Sequence, residues 1–93
     1  MISPRRFEWD AAKASANLVK HGVRFEVATG VFADPTRADF DASHVEDGEV
    51  RRKVVGEIQG RLFTLVYTLR GEKMRIISAR QSNAMEARRY ADR

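Results

Sequence analysis

Arg61-Leu62-Phe63-Thr64-Leu65-Val66-Tyr67-Thr68-Leu69-Arg70 is the stretch on which the fold turns. It is rich in β-branched and aromatic residues, with Gln59-Gly60 before it and Gly71-Glu72 after it. Such pairs close tight hairpins. Arg61, Phe63, Leu65, Tyr67 and Leu69 alternate with Leu62, Thr64, Val66, Thr68 and Arg70, so apolar side chains stand on both parities. A strand of that kind lies inside a sheet with both faces at least partly covered. Two further strands flank it, Arg51 to Ile58 before the first turn and Lys73 to Arg80 after the second. Strict alternation on the last strand places Met74, Ile76, Ser78 and Arg80 on one face and Lys73, Arg75, Ile77 and Ala79 on the other.

Helices are expected on both sides of these strands. Asp10 is a good N-cap for a helix from Ala11 to about Lys20, and Gly22 stands where a helix ends in a left-handed turn. Ala11, Ala14 and Leu18 have the spacing of one buried stripe. A shorter helix is expected from Phe25 to Phe32, with Phe25, Ala28, Val31 and Phe32 at core spacing. Asp34-Pro35 stops it, because the residue before proline is driven out of helical geometry. Thr36 to Glu49 is polar and acidic, a loop with room for one short strand. After the strands, Asn83 and Glu86 have the spacing of a capping box opening a last helix to about Tyr90. The expected class is α+β: N-terminal helices packed on a small antiparallel sheet of three to four strands, with a C-terminal helix.

The chain of 93 residues is expected to form a single domain over 1–93, since a second core needs a longer chain. With no cysteine it has neither disulfides nor a thiolate metal site. Met1-Ile2-Ser3-Pro4-Arg5-Arg6 has no apolar run of the secretory kind, and a reducing cytoplasm is the expected location, with no membrane involvement. The net charge of +4 is unevenly spread: residues 1–50 sum to −3 and residues 51–93 to +7. A basic half on a small domain fits a polyanionic partner, nucleic acid above all, although lysine and arginine also serve simply to solvate a surface.

Several residues have the chemistry such a partner would need. Lys20 and His21 share the end of the first helix, where the helix dipole favours cations whether or not they have a further role. Arg61, Arg70, Arg75 and Arg80 on the strands offer guanidinium forks to phosphate oxygens, or protect strand ends. Tyr67 offers either a stacking surface for an unpaired base or a core ring with a hydrogen-bonded hydroxyl. Trp9 and the five phenylalanines are expected in the core. His44, near Asp39, Asp41 and Glu46, sits among suitable metal donors, but the spacing is not that of a known metal motif. A solvated loop is the expectation, with His44 a weaker candidate acid or base, and neither metal nor cofactor is called for.

The ordered set of blocks is similar to one family. Phe7-Glu8-Trp9-Asp10, Lys13 and Asn17-Leu18-Val19-Lys20-His21-Gly22-Val23-Arg24-Phe25-Glu26 resemble the opening signature of BrnT toxins. Val31-Phe32-Ala33-Asp34-Pro35, Gly60-Arg61, Tyr67-Thr68, Arg75-Ile76-Ile77-Ser78-Ala79-Arg80 and Glu86-Ala87-Arg88-Arg89-Tyr90 resemble its remaining blocks. The resemblance implies a RelE-like fold and a ribonuclease that slows translation; metal-independent cleavage is expected from the residues, since RNA carries its own 2′-hydroxyl nucleophile and the sequence has neither cysteine nor a specific metal-ligand spacing. The resemblance also implies neutralisation by a BrnA-like antitoxin, with operator DNA bound only through the complex. By the same resemblance, catalytic roles fall to Lys20, His21, Arg61 and Arg80; Arg70, Arg75 and Tyr67 stand as substrate-binding candidates on their side-chain chemistry. Glu26 and Glu86 also match, in functional or structural roles. Two other classes have the same basic half: a nucleic-acid-binding module without catalysis, and a protein-interaction domain facing an acidic partner.

Overall fold

A computed structural model describes residues 6–43 and 50–92. Strand β1 is Arg6–Glu8, helix α1 Ala11–His21 and helix α2 Phe25–Ala28, which runs on as a 3₁₀ helix over Thr29–Ala33. Then come β2 Ala38–Asp41, β3 Arg51–Ile58, β4 Arg61–Arg70, β5 Lys73–Gln81 and helix α3 Ala84–Ala91. The five strands form one sheet in the order β1-β5-β4-β3-β2, with β1 parallel to β5 and the other pairs antiparallel. The expected three to four strands are therefore five. The added strand β1 is three residues long, too short to show alternation, and is set by its partner β5.

The turns behave as their residues dictate. Gln59 (φ 51) and Gly60 (φ 82) both take left-handed backbone, the geometry that lets a two-residue hairpin follow the twist of its strands. Asp10 caps α1 through its carboxylate, which accepts from the Ala12 amide at 2.7 Å, and Gly22 (φ 70) ends the helix. The expected second helix to Phe32 is α for only one turn, and the 3₁₀ stretch completes it.

The two faces of the sheet differ. On one, Phe25, Ala28 and Val31 from the helices bury against Val54, Leu65, Tyr67, Met74, Ile76 and Ala79. Trp9, Phe7, Phe32 and Phe63 pack around this cluster, Trp9 edge-on to Phe25 at 5.8 Å. The 3₁₀ helix sits so close to β3 that a Cβ on Gly56 would lie 2.8 Å from the Val31 carbonyl oxygen. Phe40 departs from its expected core place: it is half-buried on β2 with the Arg89 guanidinium 4.1 Å above its ring. The expected stripe on α1 is also modified. Ala14 and Leu18 are half-buried, Ala11 is exposed, and the one buried residue is Asn17. Its amide donates to the carbonyl oxygens of Ala79 (2.8 Å) and Val23 (3.0 Å), and its oxygen accepts from the Ala79 amide (3.1 Å). β1 covers β5 only from Lys73 to Arg75, so Asn17 does at Ala79 what a neighbouring strand would do.

Candidate nucleic-acid interface

The site is built on the other face of the sheet, and a β-bulge assembles it. In the register of β4 and β5, Thr64 faces Arg80, Val66 faces Ser78, Thr68 faces Arg75 and Arg70 faces Lys73. The register shifts at Val66/Tyr67, leaving Ile77 as an extra residue on β5. Directly opposed residues share a face, and so do alternate residues of β4. Lys73, Arg75, Ser78 and Arg80 therefore stand together, while Met74, Ile76 and Ala79 turn to the core. Strict alternation had put Arg75 and Arg80 on opposite faces, and the bulge overturns that expectation. On β3, Arg51 opposes Thr68 and Lys53 opposes Val66, which adds two more cations to this face.

Helix α3 lies over one end of it. Its only buried residue is Glu86, which sits at the centre of a polar cluster. Arg80 grips the carboxylate end-on, Nη1 to Oε1 and Nη2 to Oε2, both at 2.7 Å. The Thr64 hydroxyl donates to Oε1 at 2.9 Å, and Lys53 Nζ lies 3.3 Å from Oε2. The Asn83 amide donates to Oε1 at 3.0 Å while the Asn83 side chain accepts from the Glu86 amide, so the expected capping box is formed. Burial pushes the Glu86 carboxyl up, but the hydrogen bonds from Arg80, the Asn83 amide and Thr64 outweigh it and bring it to about 2. The same contact raises the Arg80 guanidinium. Further along, Tyr90 donates to Asp34 Oδ2 at 2.7 Å, which also accepts from the Glu57 amide at 2.8 Å. These bonds, with those from Thr36, hold the Asp34 carboxyl well below the usual carboxylate range and fix the far end of α3.

Arg80 is not exhausted by this grip. A guanidinium has five N–H donors. Glu86 takes one from each Nη, and a long contact from Nη1 to the Gln81 carbonyl (3.4 Å) takes a third. The Nε–Nη2 side, a second parallel fork, has no partner among the described residues and can donate to a pair of phosphate oxygens. Its side chain is 28% exposed, enough for a ligand to reach it.

The other predicted residues fall into three places. Arg75 and Arg70 share the face with Arg80 but lie toward its other end, where Arg75 and Lys73 also meet Glu8 at 3.4 and 3.6 Å. Lys20 is exposed and His21 half-buried at the C-terminal end of α1. They follow Asn17 by about one turn, and Asn17 holds the backbone of Ala79, the residue before Arg80 near the C-terminal end of β5; neither Lys20 nor His21 makes a side-chain hydrogen bond with Arg80. Arg61 is exposed at that same end, beside the β3–β4 turn, but on the strand parity of Phe63 and Leu65. It does not share a face with Arg80. Tyr67 is corrected. It is 3% exposed on the core face, edge-on to Phe32, with its hydroxyl donating to Asp39 at 2.5 Å. Burial and that bond push it up to about 12, and its ring has no surface to offer a base.

Asp39 also accepts from Arg52 at 2.6 Å, and Asp41 accepts from the Ser43 amide, so both carboxylates of that loop are engaged within the protein. His44 and Glu46 lie outside the described residues, and no group of three or more potential metal ligands occurs among the described ones. Lys53 and Thr64 are site residues that the sequence reading did not single out. Arg51-Arg52-Lys53 reads as one run of charge, and only the register tells which of the three faces Glu86.

One sheet face of this small α+β protein is sealed by helices and the other is lined with arginine and lysine, the charge that a polyanion calls for. The family described as "Ribonuclease toxin, BrnT, of type II toxin-antitoxin system" matches residues 9–86, and the chain belongs to that family. It is thus a ribonuclease toxin, with RNA as its target and an antitoxin as its partner. No curated protein matches the chain at a significant level. Among the described residues no helix is long and apolar enough to cross a membrane.

Proposed function

We propose that this toxin is a metal-independent endoribonuclease that holds single-stranded RNA along the open face of its sheet. Arg80 sits on the scissile phosphate, while Arg75 and Arg70 hold backbone phosphates further along. From the Thr64 to the Thr68 position is four residues of β4, about 14 Å at the usual strand rise. The observation that carries this reading is Arg80 itself: its guanidinium is fixed by a buried carboxylate through both Nη atoms, its Nε–Nη2 side has no partner among the described residues, and its side chain is 28% exposed. RNA brings its own nucleophile. The ribose 2′-oxygen attacks the adjacent phosphorus, its proton passes to a base, and the bond to the 5′-oxygen breaks as that oxygen is protonated. The products are a 2′,3′-cyclic phosphate and a 5′-hydroxyl. Arg80 stabilises the charge that develops on the phosphoryl oxygens, and Lys20 or His21 handles the protons from the end of α1. Arg61, exposed at the same end of the sheet but on the other strand parity, completes the catalytic set only by reaching a flanking phosphate around the strand end. The cognate antitoxin is a BrnA-like protein, operator DNA is bound only through the complex, and the toxin acts in the cytoplasm.

Cleavage of a defined RNA by purified Arg80→Lys and Arg80→Ala proteins, with and without chelator, tests this. Loss of one preorganised donor group costs about 10²–10³ in turnover. Arg80→Ala should fall at least that far, and Arg80→Lys should not recover it, because an ammonium cannot present a fork. Arg80→Ala also leaves Glu86 without its strongest partner, so activity is compared per folded molecule, well below the unfolding midpoint. Full activity of the folded Arg80→Ala protein would sink the assignment. Activity lost with chelator and restored by a divalent ion would overturn metal independence.

A further inference from the structure

Glu86 is a costly residue to place where it is. Its side chain is 4% exposed, under a helix that buries nothing else, and a buried ion pair seldom stabilises a fold more than apolar packing would. Helix α3 has other anchors, Tyr90 on Asp34 and Arg89 over Phe40. The cluster around Glu86 must therefore be judged by what it does to its partners. It grips Arg80 by both Nη atoms and is itself held by the Thr64 hydroxyl and the Asn83 amide. Arginine otherwise spreads over many rotamers. Here one guanidinium orientation is selected before any ligand arrives.

We propose that Glu86 is the positioning residue for Arg80: gripping the guanidinium end-on, it aims the Nε–Nη2 side at the phosphate. The inference rests on the phosphate role of Arg80 proposed above. Glu86 itself touches no substrate. It is too enclosed, and held too firmly as the anion, to take a proton from the ribose hydroxyl. Its effect on cleavage passes through Arg80.

The test is a double-mutant cycle on the full chain. Glu86→Gln suits it because glutamine also serves at the third position of a capping box, so the start of α3 is preserved while the charge is removed. Single-turnover cleavage is measured for the wild type, Glu86→Gln, Arg80→Ala and the double variant. Binding is measured in parallel with an oligonucleotide carrying a 2′-deoxyribose at the cleavage site. Misplacing a catalytic group by about 1 Å costs about 10²-fold. Glu86→Gln should therefore slow cleavage about a hundredfold and change binding by less than about threefold. In the Arg80→Ala background it should cost nothing further. Equal losses in both backgrounds would overturn the proposal, as would unimpaired cleavage by Glu86→Gln. If Arg80→Ala itself cleaves normally, the earlier reading fails, and with it this one. Thr64→Val is the second probe should Glu86→Gln not fold. It is near-isosteric, removes one of the bonds holding the carboxylate, and should slow cleavage several-fold only while Arg80 is present. A loss that persists without Arg80 would overturn the proposal as well.

Discussion

Replacing Asn17 by alanine tests the joint that brings α1 to the sheet. Asn17 makes three hydrogen bonds, two to the backbone of Ala79 and one to the Val23 carbonyl, and all three are buried. Alanine leaves a donor and two acceptors with no protein partner. Each unsatisfied buried group costs about 1–3 kcal/mol. The site lies where β1 no longer covers β5, so water can relieve part of this. A loss of about 2–4 kcal/mol is expected, which for a chain of this size lowers the unfolding midpoint by roughly 10–25 °C. Thermal unfolding followed by far-ultraviolet circular dichroism reads it, with Val19→Ala as the control. Val19 lies on the same helix but is 88% exposed, and its truncation should stay within about 0.5 kcal/mol. If the two variants unfold together, α1 is not docked through Asn17. Cleavage by the folded fraction is the second readout. If α1 also carries the proton-handling groups, Asn17→Ala should slow turnover more than it weakens RNA binding.

Three further outcomes follow from the same geometry. Gly56→Ala should cost about 1–3 kcal/mol in urea unfolding, because its Cβ would fall 2.8 Å from the Val31 oxygen and 3.0 Å from Val31 Cα, both backbone atoms that cannot step aside. Gly30→Ala, whose Cβ would meet only the Ile58 side chain at 3.4 Å, should be far milder, and equal costs would contradict the close approach of the 3₁₀ helix. The Glu86 carboxyl is lowered from 4.5 to about 2 on folding, so its stabilisation is complete above the unfolded value and disappears as pH falls toward 2. That window is worth on the order of 3 kcal/mol, and Glu86→Gln should flatten the acid limb of stability against pH between about 5 and 2; the Asp34 carboxyl, also lowered, contributes in the same direction in both proteins. RNA binding by a non-cleaving variant should weaken with salt at a slope of about −0.7 per phosphate held, and Arg75→Ala should reduce that slope by about one phosphate.

Local chemistry was legible wherever one residue decides the backbone. Asp10 and Gly22 bound α1, Gln59-Gly60 makes its hairpin, and Asn83 with Glu86 closes the capping box. Each depends on neighbours a few positions away, which the order of residues displays. Apolar spacing likewise located the core segment from Phe25 to Phe32 and the central strand, but not the buried contact of α1, which is Asn17. The register of the sheet was not legible in this way. Lys53 meets Glu86, 33 positions along the chain, only because β3, β4 and α3 stack as they do. Tyr67 could have faced either side until Asp39 on β2 claimed its hydroxyl. The short β1 has no pattern of its own and owes its state to β5.

The bulge on β5 shows how a single irregularity ties the core to the site. Inward residues of the strand are Met74, Ile76 and Ala79, spaced two and then three apart. An unbroken strand with Met74 and Ile76 in the core would send Ser78 and Arg80 inward after them, burying a guanidinium against Leu65 and the helices. The extra residue at Ile77 turns the second half of the strand over. Ala79 then goes inward, where its small side chain and its backbone meet Asn17 of α1, and Arg80 goes outward beneath α3. One backbone step therefore fixes two things at once: the docking of the helix that carries Lys20 and His21, and the exposure of the arginine at the other side of the same strand. The adjacent pair Ile76-Ile77 is the trace this leaves in the sequence, because strict alternation with a polar face does not put two isoleucines side by side. Bulges favour sites where a side chain must be re-aimed. Here the re-aimed side chain is Arg80, and the residue waiting to receive it is Glu86.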